Sequence, residues 1–218
     1  FDATNAAYNS LGVGQSQVIV AGYTVTDGSL SDQGALTITV TGTNDAPVAV
    51  ADVNSAIEGG PVVNGSVANN DSDIDANATL SFSTSGAVPL GLTFNADGSY
   101  SYDVSADPAN AALGAGDTRP VQVNYTVTDD QGATASSTLT ITVTGINGAP
   151  VAGDDSASVA EGSSIIGGTV ASNDSDPDTD PLTYSLNGAV AGLTLNADGS
   201  YNFDATNAAY NSLGVGQS

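Results

Sequence analysis

The stretch Thr138-Leu139-Thr140-Ile141-Thr142-Val143-Thr144 alternates without a break between threonine and a large aliphatic residue. A period of two places Leu139, Ile141 and Val143 on one face of a strand and the threonines on the other. β-Branched residues fit such a half-buried, pleated surface. Tyr125 and Val127 lie just upstream, across a turn containing Gly132, and should face the same core. Working outward by alternation and turn residues, strands are expected near 48–57, 61–68, 79–84, 91–95, 99–104, 120–128 and 134–144. The fourth and fifth form a hairpin around Ala96-Asp97-Gly98. The Ala-rich stretch from Asp107 to Leu113 is expected to make one helical turn, and Thr4–Tyr8 is its copy. Short strands with turns every 8–12 residues predict an all-β fold: an immunoglobulin-like sandwich without substantial helix.

The pattern repeats. Residues 1–16, FDATNAAYNSLGVGQS, recur identically as 203–218, and a weaker repeat runs at about half that period. Tyr23-Thr24-Val25-Thr26-Asp27 returns as Tyr125-Thr126-Val127-Thr128-Asp129, and Asn44-Asp45-Ala46-Pro47-Val48-Ala49 returns as Asn147-Gly148-Ala149-Pro150-Val151-Ala152. The module is therefore 101–103 residues long, with the Ala-Pro linker as its boundary. Residues 46–147 make one complete module. Residues 1–45 are the last two strands of a preceding one, and residues 148–218 are the first five strands of a following one. The chain begins mid-pattern at Phe1-Asp2 with no visible signal peptide, as expected of an internal fragment.

Composition removes most chemistry. Of 218 residues, 24 are Asp or Glu and one is basic, Arg119, for a formal net charge of −23. There is no Cys, His or Trp. This excludes disulfides, zinc thiolates and His-based triads. A P-loop lysine and a Schiff base are excluded because the one basic residue is an arginine. The field repels nucleic acid and anionic lipid. No apolar run is long enough to span a membrane. Paired carboxylates of the kind glycosidases use are present, but without a tryptophan platform, and the Tyr and Phe residues sit mostly at core positions. The chain reads as a non-enzyme.

The acids gather in loops. In a sandwich of this order, the loop after the second strand carries Asp71, Asp73 and Asp75. The loop before the last strand carries Asp129 and Asp130. Both should lie beside the entering linker Asn44-Asp45, so that five or six carboxylates converge. Two like charges ~6 Å apart repel by roughly 0.7 kcal/mol even in bulk water. Calcium, which takes six to eight oxygens from Asp, Asn and carbonyls, would relieve this better than magnesium. The expected metal ligands are Asn44, Asp45, Asp71, Asp73, Asp75, Asp129 and Asp130. Their counterparts in the next module are Asp174, Asp176 and Asp178, in a loop enriched by Asp180 and flanked by Asp154-Asp155. Glu58 and Glu161 follow the first strand at the opposite end and could donate across the next joint. At that joint Asp45 is replaced by Gly148, so the two joints should differ. Asp97 and Asp198 sit in Asp-Gly turns, where Asx geometry alone accounts for them.

Taken together, Asn44-Asp45-Ala46-Pro47-Val48-Ala49, Asn70-Asp71-Ser72-Asp73-Ile74-Asp75, Ala96-Asp97-Gly98-Ser99-Tyr100 and Tyr125–Gly132 resemble the VCBS repeat. This is a bacterial cadherin-like, immunoglobulin-like module found in tandem in giant RTX-type adhesins. The resemblance covers essentially the whole chain. It implies secretion to the bacterial surface, often by a type I system, and Ca2+ at inter-module joints. It also implies service as an extender that holds an adhesive tip away from the cell. The expected partners are neighbouring repeats of the same chain. A second reading is a fibre subunit, completed head to tail by strand addition between copies. A third is a carbohydrate- or protein-binding module.

Overall fold

The computed structural model describes residues 1–163 and 165–210. They form two compact units: Phe1–Asp107 with Thr118–Thr144, and Pro108–Asp117 with the described residues from Gly145 onward.

In the first unit, β1 (Ser16–Thr26) and β2 (Ser31–Thr41) form an antiparallel ribbon. β3 (Asp52–Ile57), β4 (Val63–Ser66), β5 (Ser81–Ser85), β6 (Leu92–Phe94), β7 (Ser99–Tyr102), β8 (Thr118–Thr128) and β9 (Thr134–Thr144) follow. Their order is β3-β9-β8-β5 in one sheet and β4-β7-β6 in the other. β3 runs parallel to β9, and the other neighbours are antiparallel. All seven have bounds within four residues of the strands read from the sequence, the largest difference being at the start of β3, expected at 48 and found at Asp52.

The alternation places the core. Leu139, Ile141 and Val143 are buried, as are Val121, Val123, Tyr125 and Val127 on the neighbouring β8. Leu92, Tyr100 and Tyr102 of the second sheet are buried as well. The β6–β7 hairpin turns at Asp97-Gly98, where Gly98 has φ +82 and a Cβ would stand 3.0 Å from that of Ala68. Asp97 Oδ1 accepts from Ser99 N at 2.9 Å, which confirms the Asx reading.

Two features depart from expectation. Asp107 to Leu113 forms a run of turns, closed by Ala111 N to Pro108 O and Leu113 N to Asn110 O, rather than a helical turn. Asp107 precedes Pro108 and is extended, as proline favours in the residue before it. One short helical turn forms just upstream instead, at Val104–Ala106, with Asp103 as its cap. Its counterpart near the N-terminus does form, at Ala6–Tyr8.

The second departure lies in the second unit. β10 (Ile166–Thr169), β11 (Leu193–Leu195) and β12 (Ser200–Phe203) form a sheet in the order β10-β12-β11, matching β4, β6 and β7. The expected first and third strands, in 152–160 and 181–187, are not strands. Their equivalents β3 and β5 pair only with β9 and β8. Among the described residues of the second unit, no strand stands in the place of β8 and β9.

The same dependence shows in the β1–β2 ribbon, whose outer edges carry no neighbouring strand among the described residues. Tyr23, Val25 and Leu36 are 56%, 59% and 53% exposed, although their equivalents Tyr125, Val127 and Leu139 are fully buried. Leu139→Ala should therefore lower unfolding stability by about 3 kcal/mol. Leu36→Ala, at the equivalent position, should change it by less than about 0.5 kcal/mol. Urea unfolding of dilute protein checks both, and equal losses would contradict the open ribbon.

Candidate metal centre

The loop after β4 is held by its own carboxylates. Asp73 Oδ1 accepts from Asp75 N at 2.8 Å, closing an Asx turn. Asp71 Oδ1 accepts from Val50 N at 2.6 Å, and Val48 and Ser72 exchange backbone bonds of 2.7 and 3.1 Å. The loop is thereby stitched to the segment that leads into β3.

The entering linker is clamped on two sides. Asp45 N donates to Asp75 Oδ2 at 2.9 Å. Asn44 Nδ2 donates to Asp129 Oδ2 at 2.8 Å. The other oxygen of Asp129 accepts from Gln131 N and Ala133 N, at 2.9 and 2.8 Å, and so shapes the β8–β9 turn. Asp130 is more peripheral and accepts from Thr79 N at 3.5 Å. The preceding segment docks on the same loop: Ala76 N donates to Ser10 O at 3.0 Å, and Gln15 Nε2 donates to Ala76 O at 3.1 Å. At Gly12 a Cβ would lie 3.2 Å from that of Asp75, so the approach needs a small residue.

Three carboxylate oxygens in this loop, Asp71 Oδ2, Asp73 Oδ2 and Asp75 Oδ1, are buried without a hydrogen-bond partner. An unsatisfied buried charge is costly. Nothing basic is near. Arg119 is bonded to Asp107 at 2.7 Å and pairs in register with Val143, toward the other end of the β8–β9 ladder from these loops. The donor set is hard, anionic and oxygen-only, which suits calcium.

The second unit repeats the scaffold. Gly148 N donates to Asp178 Oδ2 at 2.6 Å, as Asp45 N does to Asp75. Gly153 N donates to Asp174 Oδ1 at 2.7 Å, as Val50 N does to Asp71. Asp178 Oδ1 is again buried and unpartnered. Among the described residues, the group of three acids whose oxygens lie within 4.8 Å of one another is Asp176, Asp178 and Asp180. Thr179, at φ +64, curls the loop so that Asp176 Oδ1 accepts from both Asp178 N and Asp180 N. A Cβ at Gly148 would lie 3.2 Å from Cγ of Pro177, a tight approach in the segment where the first joint has Asp45.

Of the expected ligands, Asn44, Asp71, Asp73, Asp75 and Asp129 lie on the linker and loops at one end of the first unit, joined by the backbone of Asp45, but no three of their acids bring oxygens within 4.8 Å of one another as Asp176, Asp178 and Asp180 do. Asp174, Asp176 and Asp178 share the equivalent loop of the second. Glu58 stands at the opposite end of the sheet, as expected, where its N–H bonds Thr144 O at 2.9 Å. Glu161 sits in an exposed turn.

Sequence reasoning underweighted Asp180 and passed over the support behind Asp71. The Tyr125 hydroxyl, in the core, lies 2.7 Å from Val50 O, 2.8 Å from Asp52 Oδ2 and 3.4 Å from Asp71 Oδ1. Burial pushes the Asp52 carboxyl above its usual range, partly offset by the Tyr125 hydrogen bond. The recurrence of Asp52 as Asp155 was the available signal.

Asp129 behaves oppositely. The Asn44 amide and the turn N–H groups hold its carboxyl below the usual range, against a smaller rise from burial. Its contribution to stability is present above the unfolded-state value of about 3.9 and is lost as pH falls through the lower folded-state value. In chelator, the stability–pH curve of Asp129→Asn should be flatter than that of the parent below about pH 4. Equal slopes would contradict the assignment.

Comparison with known proteins agrees with this architecture. Residues 44–145 and 147–217 match the family model described as bacterial cadherin-like domain. No curated protein matches the sequence. Among solved structures, protocadherin gamma B3 extracellular domains 1–4 is similar at 15% identity, with TM-score 0.51, over 87% of this chain and 48% of that one. Protocadherin gamma B2 domains 1–5 is similar at 14% identity, with TM-score 0.51, over 87% and 38%. The chain thus spans half or less of the length of these structures, and the likeness is one of fold. With its family match covering more than half of the residues, the chain belongs to the bacterial cadherin-like domain family.

Proposed function

We propose that this chain is an extender segment of a large secreted bacterial adhesin of the RTX type, built from VCBS-like repeats and stiffened by calcium at the joints between them. Cadherin-like domains are extracellular structural adhesion modules, and no helix among the described residues is long and apolar enough to cross a membrane. The division into modules at 46–147 and from 148 onward is part of the proposal.

The observation that carries the reading is the set of buried, unpartnered carboxylate oxygens beside the clamped linker. Asp71, Asp73, Asp75 and Asp129, with Asn44, would hold the ion at the first joint. Asp176, Asp178 and Asp180 would hold it at the second. A bound divalent cation supplies positive charge to oxygens that have no donor. The protein's part is to hold the linker. Asp45 N on Asp75 and the Asn44 amide on Asp129 tie the entering chain to two loops of the next module. Neutralising those loops removes the repulsion that would otherwise pry them apart.

Each module would advance the chain by about 40 Å, judged from strands of some ten residues and a linker. Extracellular calcium modules bind in the range of about 0.1–1 mM. At tenfold excess over Kd, one site adds about 1.4 kcal/mol. Stiffness would then follow the calcium-rich exterior, leaving a looser chain inside the cell for export.

Calorimetric titration with calcium, with thermal melts in calcium and in chelator, tests the proposal. Saturable binding and a clear rise in melting temperature are expected. Asp75→Asn and Asp178→Asn should each remove binding at one joint only. Identical melts with and without chelator would overturn it.

A further inference from the structure

We propose that successive modules of this chain meet at two kinds of joint: one closed by direct docking of the preceding module and held without an ion, the other held only when its carboxylates carry one. At the second joint this rests on the calcium reading above; at the first it does not.

The docked joint has a longer loop. Asn5-Ala6-Ala7-Tyr8-Asn9-Ser10-Leu11-Gly12 and Asn110-Ala111-Ala112-Leu113-Gly114 are one loop in two modules, the first longer by the three residues Tyr8-Asn9-Ser10. The longer form returns at 207–214, so the loops read long, short, long along the chain. The insertion is an arm with a fixed root. Tyr8 packs on Phe1 with ring centroids 5.6 Å apart, and Tyr210 packs on Phe203 at 5.3 Å. Asn5 O and Asn207 O each accept from that tyrosine's N–H at 3.0 Å. The root takes the same form in both places because its own residues fix it.

The far end of the arm reaches the next module. Ser10 O accepts from Ala76 N at 3.0 Å, and Gln15 Nε2 donates to Ala76 O at 3.1 Å. Both backbone groups of Ala76 are therefore held by the preceding module. Gln15 Oε1 accepts from Gly12 N at 3.2 Å, which orients the amide for this contact. Contacts between neighbouring repeats of this kind set the stiffness of a tandem array.

At the second joint the same positions close on themselves. Asp117 holds the place of Gln15: Gln15 N bonds Gly12 O and Asp117 N bonds Gly114 O, while Gly42 N and Gly145 N donate to the respective carbonyls. A carboxylate has no N–H to offer a neighbouring carbonyl. Thr179 holds the place of Ala76, and its N–H bonds Asp176 O of its own loop at 3.2 Å. In that closed loop Asp176, Asp178 and Asp180 bring oxygens within 4.8 Å of one another, a grouping the acids of the first joint do not make. The joint with the arm spreads its carboxylates, and the joint with the short loop gathers them against their repulsion. Direct hydrogen bonds do at the first joint what a cation does at the second.

Spin labels on the full chain, which has no cysteine of its own, read the two joints separately. Thr39→Cys with Ser83→Cys spans the first joint, and Ser83→Cys with Thr194→Cys spans the second, all at exposed positions. Double electron–electron resonance then gives a distance distribution for each. In chelator the first distribution should stay as narrow as in calcium. The second should widen about twofold or more in chelator and narrow again with calcium at about 1 mM. Gln15→Ala should raise the undocked fraction of the first joint in chelator by roughly fivefold.

A first distribution that widens in chelator as much as the second would overturn the proposal while leaving the calcium reading in place. So would a Gln15→Ala chain that stays as narrow as its parent in chelator. A second distribution indifferent to calcium, beside a first that responds to Gln15→Ala, would instead remove the calcium reading and with it this assignment of the second joint.

Discussion

β3 and β5 exist because β9 and β8 offer them hydrogen-bonding edges. The β8–β9 hairpin occupies the middle of its sheet, with β3 on one side and β5 on the other. It also supplies the residues at the centre of the core. Among the described residues 148–210, no such hairpin pairs with the strands. Their β10-β12-β11 sheet closes, because its strands are joined by a short turn and a backbone bond from Val170 N to Gly199 O. Their would-be outer strands do not form. An extended segment with no partner must leave its backbone groups to water, and its ordering entropy is not offset by a ladder.

The second constraint is charge without counter-charge. Arg119 is bonded to Asp107, and the acids of the loops face no basic side chain. Backbone N–H groups take up part of the burden: Val50 N, Asp45 N, Asp75 N, Gln131 N and Ala133 N each donate to a carboxylate. That leaves Asp71 Oδ2, Asp73 Oδ2 and Asp75 Oδ1 with none. The arrangement fixes the loops in place and leaves their remaining lone pairs unsatisfied, as a site for a hard cation requires.

Core and loop are coupled through one side chain. Tyr125 is fully buried on β8, yet its hydroxyl reaches Val50 O and Asp52. Asp71 lies beside the same hydroxyl while accepting from Val50 N. The position of the acidic loop is thus set by the packing of the hydrophobic core, and the site is carried on a rigid element rather than on a free turn.

Much of this was legible in the residues. The alternation around Leu139, Ile141 and Val143 located the strands, because a period of two has a single reading when one face must be buried. The recurrence of Asn-Asp or Asn-Gly before Ala-Pro set the module length. The acids fell in turns, where short polar side chains bond their own backbone. Other features depend on contacts between residues far apart in sequence. No local pattern shows that 152–160 would stay unpaired, since Asp52–Ile57 is a strand only through β9. Nor does any local pattern show which oxygen of Asp75 meets Asp45 N and which is left alone, or that Thr179 would curl Asp180 toward Asp176. Sequence determined what each segment can become. Tertiary structure decided which segments found a partner, because ladder hydrogen bonds and buried carboxylates are satisfied only across the fold.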